Sequence, residues 1–301
     1  MSRPNFFIIG APKSGTTALA HYLSEHPEVF FAKPKELFFW SSDHPQARNR
    51  HNVFTLEDYL RYFRGSEGYV AIGEGSTNYL QSHNAVKNII EFNSDSKFIV
   101  LLRNPVDVAY GMHGELLRHY FEDVVDFKTA WDLQSQRAQG EKVPHQCVMV
   151  NQLQYKDVAS YGVQLERLFD LVPESQRKVF LFEDFCGNTK SVYDATCQFL
   201  ELESNGRSEF PRMNAARQYR SRILGRLYQN PPQLIEPLMK RIRHVYANAS
   251  IPMRDWLAHS LSKREPRAPL SEDFRDQLRK TFRPDIEQVE QLLKIKLDTW
   301  Y

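Results

Sequence analysis

Cysteine is scarce in this sequence, whose 301 residues include only Cys147, Cys186 and Cys197. They are odd in number and form no CxxC pair, so neither a disulfide framework nor a structural zinc site is indicated, and a reducing compartment is expected. An excess of one charge is missing too. The 39 Lys and Arg nearly balance the 37 Asp and Glu, for a formal net charge of +2. That balance argues against a nucleic-acid binder held by bulk electrostatics and favours a small anion as partner. No apolar run approaches the ~18 residues needed to span a bilayer. The first residues carry no basic n-region and no cleavage-site pattern, so a cytoplasmic protein without a membrane segment is expected. His44, His83, His113 and His119 show no metal-ligand spacing, and no metal is expected.

What the sequence does contain is concentrated near its start. Asn5-Phe6-Phe7-Ile8-Ile9-Gly10 is an apolar run that reads as a buried strand, and Ala11-Pro12-Lys13-Ser14-Gly15-Thr16-Thr17 follows it as a Gly-bounded loop. Gly10 and Gly15 allow a tight turn and close approach to an anion. Thr16 and Thr17 open a helix whose free N–H groups and positive dipole end face the same point. In the Walker A pattern the lysine follows the second glycine, but here Thr16 holds that place and Lys13 sits mid-loop. An ordinary ATP or GTP site is therefore disfavoured.

Farther along, strands are expected at 29–32, 70–73, 97–103 and 179–182. Helices are expected at 16–26, from Thr55 through Phe63 behind a capping box, from Ser82 to Phe92, from Pro105, around 127–139, and over 157–171 and 189–200. Strands alternating with helices predict an α/β domain with a central parallel sheet covered on both faces. The core is expected over about 4–205. The Arg- and Pro-rich remainder, about 206–301, reads as a helical appendage of the same domain, with helical pieces near 234–245 and 271–297.

The strand followed by Pro12-Lys13-Ser14-Gly15-Thr16-Thr17 resembles the 5′-phosphosulfate loop of the sulfotransferase family, which uses 3′-phosphoadenosine 5′-phosphosulfate (PAPS) and releases PAP. The resemblance implies that these six residues hold the cofactor's 5′ end and that Lys13 offsets charge on the bridging oxygen as the sulfuryl group departs. Leu101-Leu102-Arg103-Asn104-Pro105 through Gly111 is similar to the family's 3′-phosphate segment. It implies bidentate phosphate binding by Arg103, with Gly111 where a serine is usual; pairing with Asp107 or capping a helix is the ordinary alternative for Arg103.

Lys33-Pro34-Lys35-Glu36-Leu37-Phe38-Phe39-Trp40 is similar to the K-E-x-H-F-F stretch of the heparan sulfate branch, which implies Glu36 as catalytic base and places Phe38 where histidine is common. Glu74-Gly75-Ser76 resembles an E-K-S segment, with Gly75 in place of a second active-site lysine. Glu74 and Ser76 then line the substrate pocket, or merely end a strand. Phe38 and His113 are further pocket candidates. Arg217 and Arg220 resemble an Asn-then-Arg stretch that closes over PAPS, or form a solvated basic face.

The expected function is direct in-line sulfuryl transfer from PAPS, without a metal, to a hydroxyl or amine of a small-molecule, carbohydrate, lipid or carrier-bound acceptor. A nucleotide kinase with a degenerate P-loop and a catalytically silent PAP- or nucleotide-binding module are the alternatives.

Overall fold

The strand-forming runs of the sequence pair as a single five-stranded sheet. A computed structural model describes residues 3–211 and 267–301, with the isolated position 235 and the paired backbone of 218–219 and 262–263. The strands are β1 (Phe6–Gly10), β2 (Val29–Phe31), β3 (Ala71–Gly75), β4 (Lys97–Leu102) and β5 (Arg177–Leu181). Their order is β2-β3-β1-β4-β5 and every pairing is parallel. The chain fills one side of β1 and then crosses to the other. The crevice above the carboxyl ends of β1 and β4 is therefore a topological switch point, where open α/β sheets bind ligands.

Alternation along the strands explains the layers. Phe7 and Ile9 of β1, with Phe98, Val100 and Leu102 of β4, face one apolar cluster, whereas Phe6, Ile8, Ile99 and Leu101 face the other. The second face is covered by α1 (Thr16–Ser24) and α10 (Thr189–Phe199), through Leu19, Leu23, Val192 and Tyr193. On the first lie α3 (Ala85–Phe92), α4 (Pro105–His119), α8 (Tyr161–Leu171) and α11 (Glu272–Leu293). Leu278, Phe282, Ile286 and Val289 of α11 recur at helical spacing and are wholly buried in that core.

Several boundaries differ from the sequence reading, for identifiable reasons. The helix expected over 127–139 is two short ones, α5 (Phe127–Asp132), capped by Asp126, and α6 (Gln134–Ala138). That over 157–171 is interrupted at Ser160, between α7 (Tyr155–Ala159) and α8. Asp285 of α11 accepts the Tyr161 and Gly162 N–H groups at 2.8 Å each, supplying a cap from far along the chain. Strand β3 runs on through Glu74 and Gly75, which pair with Phe7 and Ile8. The capping box does form: Thr55 Oγ1 accepts the Asp58 N–H and opens α2 (Leu56–Leu60). The remaining helix, α9 (Phe182–Gly187), follows β5 directly. The helical piece expected near 234–245 lies outside the described residues, apart from position 235.

Candidate active site

Three strand ends and one helix converge on the loop after β1. The Ala11 N–H donates to Leu101 O at 2.7 Å, holding the loop against β4. Lys13 (φ 62°) and Gly15 (φ 88°) are both left-handed, and Gly15 caps α1. Gly15 suits that conformation at no steric cost; Lys13 adopts one uncommon for a residue with a Cβ. Ser14 is buried, its hydroxyl donating to Pro12 O at 3.3 Å, while Thr16 starts α1 and Thr17 is exposed. The opening N–H groups of a helix have no intrahelical acceptor, so this loop presents donors and a positive dipole end to one point.

Lys13 itself is exposed, and its ammonium lies 3.1 Å from Glu115 Oε2 on α4. Burial pushes the Glu115 carboxyl up, but the His119 hydrogen bond and the Lys13 and Arg118 charges outweigh it and hold the group well below the usual carboxylate range. Gly111, one turn earlier on α4, lies under the lysine shaft. A Cβ there would come within 3.3 Å of Lys13 Cγ.

Arg103 stands at the end of β4, with its guanidinium 4.5 Å from the Phe182 ring centroid. It donates to Lys13 O at 3.3 Å and approaches Asp107 at 3.5 Å, with 31% of its side chain exposed. The pairing with Asp107 foreseen as the ordinary alternative is present, but it is long and about a third open to water. Such contacts hold a guanidinium weakly.

Glu36 reaches the same crevice from the β2–α2 connection. Its backbone N–H donates to Gly75 O at 2.8 Å, and its carboxylate accepts the Thr77 N–H at 3.0 Å and the Thr77 hydroxyl at 3.3 Å. Lys35 beside it lies 3.6 Å from Glu36 Oε1 and donates to Thr16 Oγ1 at 3.3 Å. Glu36 and Phe38 share the left-handed conformation of Lys13 (φ 67° and 58°), and the Phe38 N–H donates to Ser76 Oγ at 3.1 Å. Strain of this kind persists where the surroundings fix it, and the cross-links to β3 do so here.

The other pocket candidates sit deeper. Glu74, Ser76 and Phe38 are closed off from solvent, so in this structure they line no open pocket, which corrects the sequence reading; Glu74 accepts hydrogen bonds from Tyr59, Ser76 and Tyr79. Burial pushes its carboxyl up to about 7, against the pull of those hydroxyls. His113 is a correction to the sequence reading: it is fully buried, not pocket-lining. Its ring donates to Val124 O at 2.8 Å, accepts from Arg267 at 2.7 Å and packs on Phe127, 5.0 Å between centroids. Burial pushes its pKa down to about 4. Phe39, Trp40, Tyr59 and Phe63 pack ring against ring inside the core, Phe39 stacked on Tyr59 and edge-on to Trp40. Arg217 and Arg220 lie outside the described residues. Among the described residues no group of three or more His, Cys, Asp or Glu is placed to hold a metal.

A family model described as the sulfotransferase domain matches residues 3–221, which include the whole sheet, the loop after β1, Glu36, Arg103 and Glu115. The chain belongs to the sulfotransferase domain family. Among its relatives, the membrane-associated sulfotransferase kil1 of Dictyostelium discoideum is 32% identical over 107 residues, 35% of this chain and 21% of that protein. Mouse carbohydrate sulfotransferase 15 is 25% identical over 258 residues, 66% of this chain and 44% of its own. Mouse bifunctional heparan sulfate N-deacetylase/N-sulfotransferase 3 is 30% identical over 119 residues, 38% and 13%. The chain thus spans less than half the length of these curated relatives. A solved sulfotransferase from Alicyclobacillus acidocaldarius superposes with a TM-score of 0.73 over 100% of this chain and 99% of its own, at 24% identity, and shares the fold.

Three contacts in this crevice, those of Glu115, Thr77 and Lys35, escape a reading by motif. Glu115 is one turn beyond Gly111 on α4, and the i, i+4 spacing is the signal that could have found it. Thr77 and Lys35 meet Glu36 and Thr16 only because β2 and β3 are neighbours in the sheet.

Proposed function

We propose that the chain is a PAPS-dependent sulfotransferase acting on a hydroxyl or amine. The observation that carries this reading is the gathering of Lys13, Arg103 and the α1 N-terminus at the crevice above β1 and β4. The donor set fits PAPS as second substrate. A phosphate bound at the loop meets helix N–H groups and the Lys13 ammonium, and Arg103, weakly held by Asp107, is the partner for a 3′-phosphate that ATP lacks. Pro12, Ser14, Gly15, Thr16 and Thr17 shape the loop, while Gly111 admits the lysine shaft instead of donating a hydroxyl.

PAPS supplies an activated sulfuryl group. The acceptor oxygen or nitrogen forms a bond to sulfur as the bond from sulfur to the bridging oxygen breaks, and that electron pair remains on the 5′-phosphate of PAP. Lys13 offsets the charge gathering there. Glu36, held by Thr77, takes the acceptor proton. Relatives named for carbohydrate and heparan sulfate substrates make a carbohydrate the first acceptor class to try. Cysteine usage favours a cytoplasmic setting, and no helix among the described residues is long and apolar enough to cross a membrane.

The test is transfer of labelled sulfuryl from PAPS to a panel of carbohydrate, lipid, phenolic and amine acceptors. Labelled product supports the reading. PAP binding without transfer to any acceptor or to water would replace it with a silent binding module.

A further inference from the structure

Gly75 closes β3 at a point where another side chain crosses it. A Cβ on Gly75 would lie 3.0 Å from Lys35 Cε, 3.2 Å from Phe31 Cζ and 3.6 Å from Lys35 Nζ. The absence of a side chain at 75 therefore clears the path by which Lys35 runs from the β2 side of the sheet across the end of β3. The path ends at the first residue of α1, where the Lys35 ammonium donates to Thr16 Oγ1 at 3.3 Å. Its side chain is 17% exposed, and its one ion-pair partner among the described residues, Glu36, is 3.6 Å away. Burial pushes the Lys35 pKa down, and the Glu36 and Glu74 carboxylates partly restore it.

A desolvated ammonium with a loose partner is poised for an anion, because the same charge is worth far more there than in water. We propose that Lys35 is a second cation of the 5′-phosphosulfate site, aimed with Thr16 and the α1 N-terminus at the 5′ group, and that Gly75 is the residue that lets it reach that position. Lys35 and Lys13 then approach the 5′ group from opposite sides of the loop, one from β2 and one braced on α4. The inference rests on the reading of the loop as a 5′-phosphate site.

The experiment is calorimetric titration with two ligands that differ only at the 5′ position, PAP and adenosine 3′-phosphate. For Lys35→Met, which keeps the shaft and removes the charge, PAP affinity falls about tenfold or more, as for a lost charge-assisted hydrogen bond, while adenosine 3′-phosphate affinity stays within about twofold. Gly75→Ala, which crowds Lys35 Cε, weakens PAP several-fold in the wild-type background and has no further effect in Lys35→Met. Equal weakening of both ligands would make Lys35 a structural partner of Glu36 and overturn the proposal. Unchanged PAP affinity in Lys35→Met, in a protein that prefers PAP to adenosine 3′-phosphate, overturns the inference alone. A wild-type protein that binds the two ligands equally overturns the 5′-site reading and the inference with it.

Discussion

The Lys13 ammonium is tied to Glu115, 3.1 Å away on α4, so the lysine at the centre of the loop after β1 is positioned by a helix that also carries Gly111 beneath its shaft. The same carboxylate accepts from His119 at 3.0 Å and from Arg118. An anion entering the loop competes with Glu115 for Lys13. Glu115→Gln should therefore raise PAP affinity, by about threefold at moderate salt, where exposed charge pairs are worth a few tenths to about 1 kcal/mol. The gain should vanish when Lys13 is replaced by Met, a cycle that isolates the pair. An unchanged or lowered affinity in Glu115→Gln would mean that the carboxylate does not restrain the lysine.

Removing the loop lysine tests its charge. Lys13→Ala should lower sulfuryl transfer by about two or more orders of magnitude, the scale of a lost transition-state donor, with little change in melting temperature because the side chain is exposed. Near wild-type turnover in a folded Lys13→Ala protein would contradict the assigned role.

Glu36→Gln keeps the shape that accepts the Thr77 N–H at 3.0 Å and removes the basicity. The expected result is a fall in kcat of about 10²–10⁴ with PAP affinity nearly unchanged. Weakened PAP binding with normal kcat would make Glu36 a support for the loop instead of a base.

Glu74 predicts a pH dependence of stability. Its carboxyl is raised to about 7 from an ordinary 4.5 by burial, so between those values the unfolded chain has released a proton that the folded chain keeps. Stability then falls as pH rises from about 4.5 through 7 and levels off above. Glu74→Gln should remove that decline, an effect of up to roughly 3 kcal/mol. Denaturant melts of both proteins across pH 4–8 check it, and parallel curves would show that Glu74 does not titrate in this range.

The parts of the fold and site written along single segments were legible in the sequence. Phe6 to Gly10 and Lys97 to Leu102 are nearly continuous apolar runs, as strands buried on both faces must be, and each ends on its own candidate, Lys13 or Arg103. Contacts made across the sheet were not legible. Nothing local marks Lys35 as a neighbour of Thr16, because the contact depends on the order β2-β3-β1 and on the missing side chain at Gly75. The break at Ser160 depends on Asp285, more than a hundred residues later. Glu74 reads as a turn residue because a charged side chain rarely sits inside a strand, and only its three hydroxyl partners allow it there. His113 looked accessible in sequence, yet the packing of α4 against Phe127 and Tyr155 encloses it.

Whether this crevice reads a nucleotide with phosphates at both its 3′ and 5′ ends is decided by comparing PAP and ADP in calorimetric titrations of the wild-type protein and Arg103→Gln. PAP should bind at least about tenfold more tightly than ADP, as a charge-assisted phosphate contact requires, and Arg103→Gln should erase most of that preference while leaving ADP binding nearly unchanged. Equal affinity for PAP and ADP in the wild-type protein would contradict this expectation.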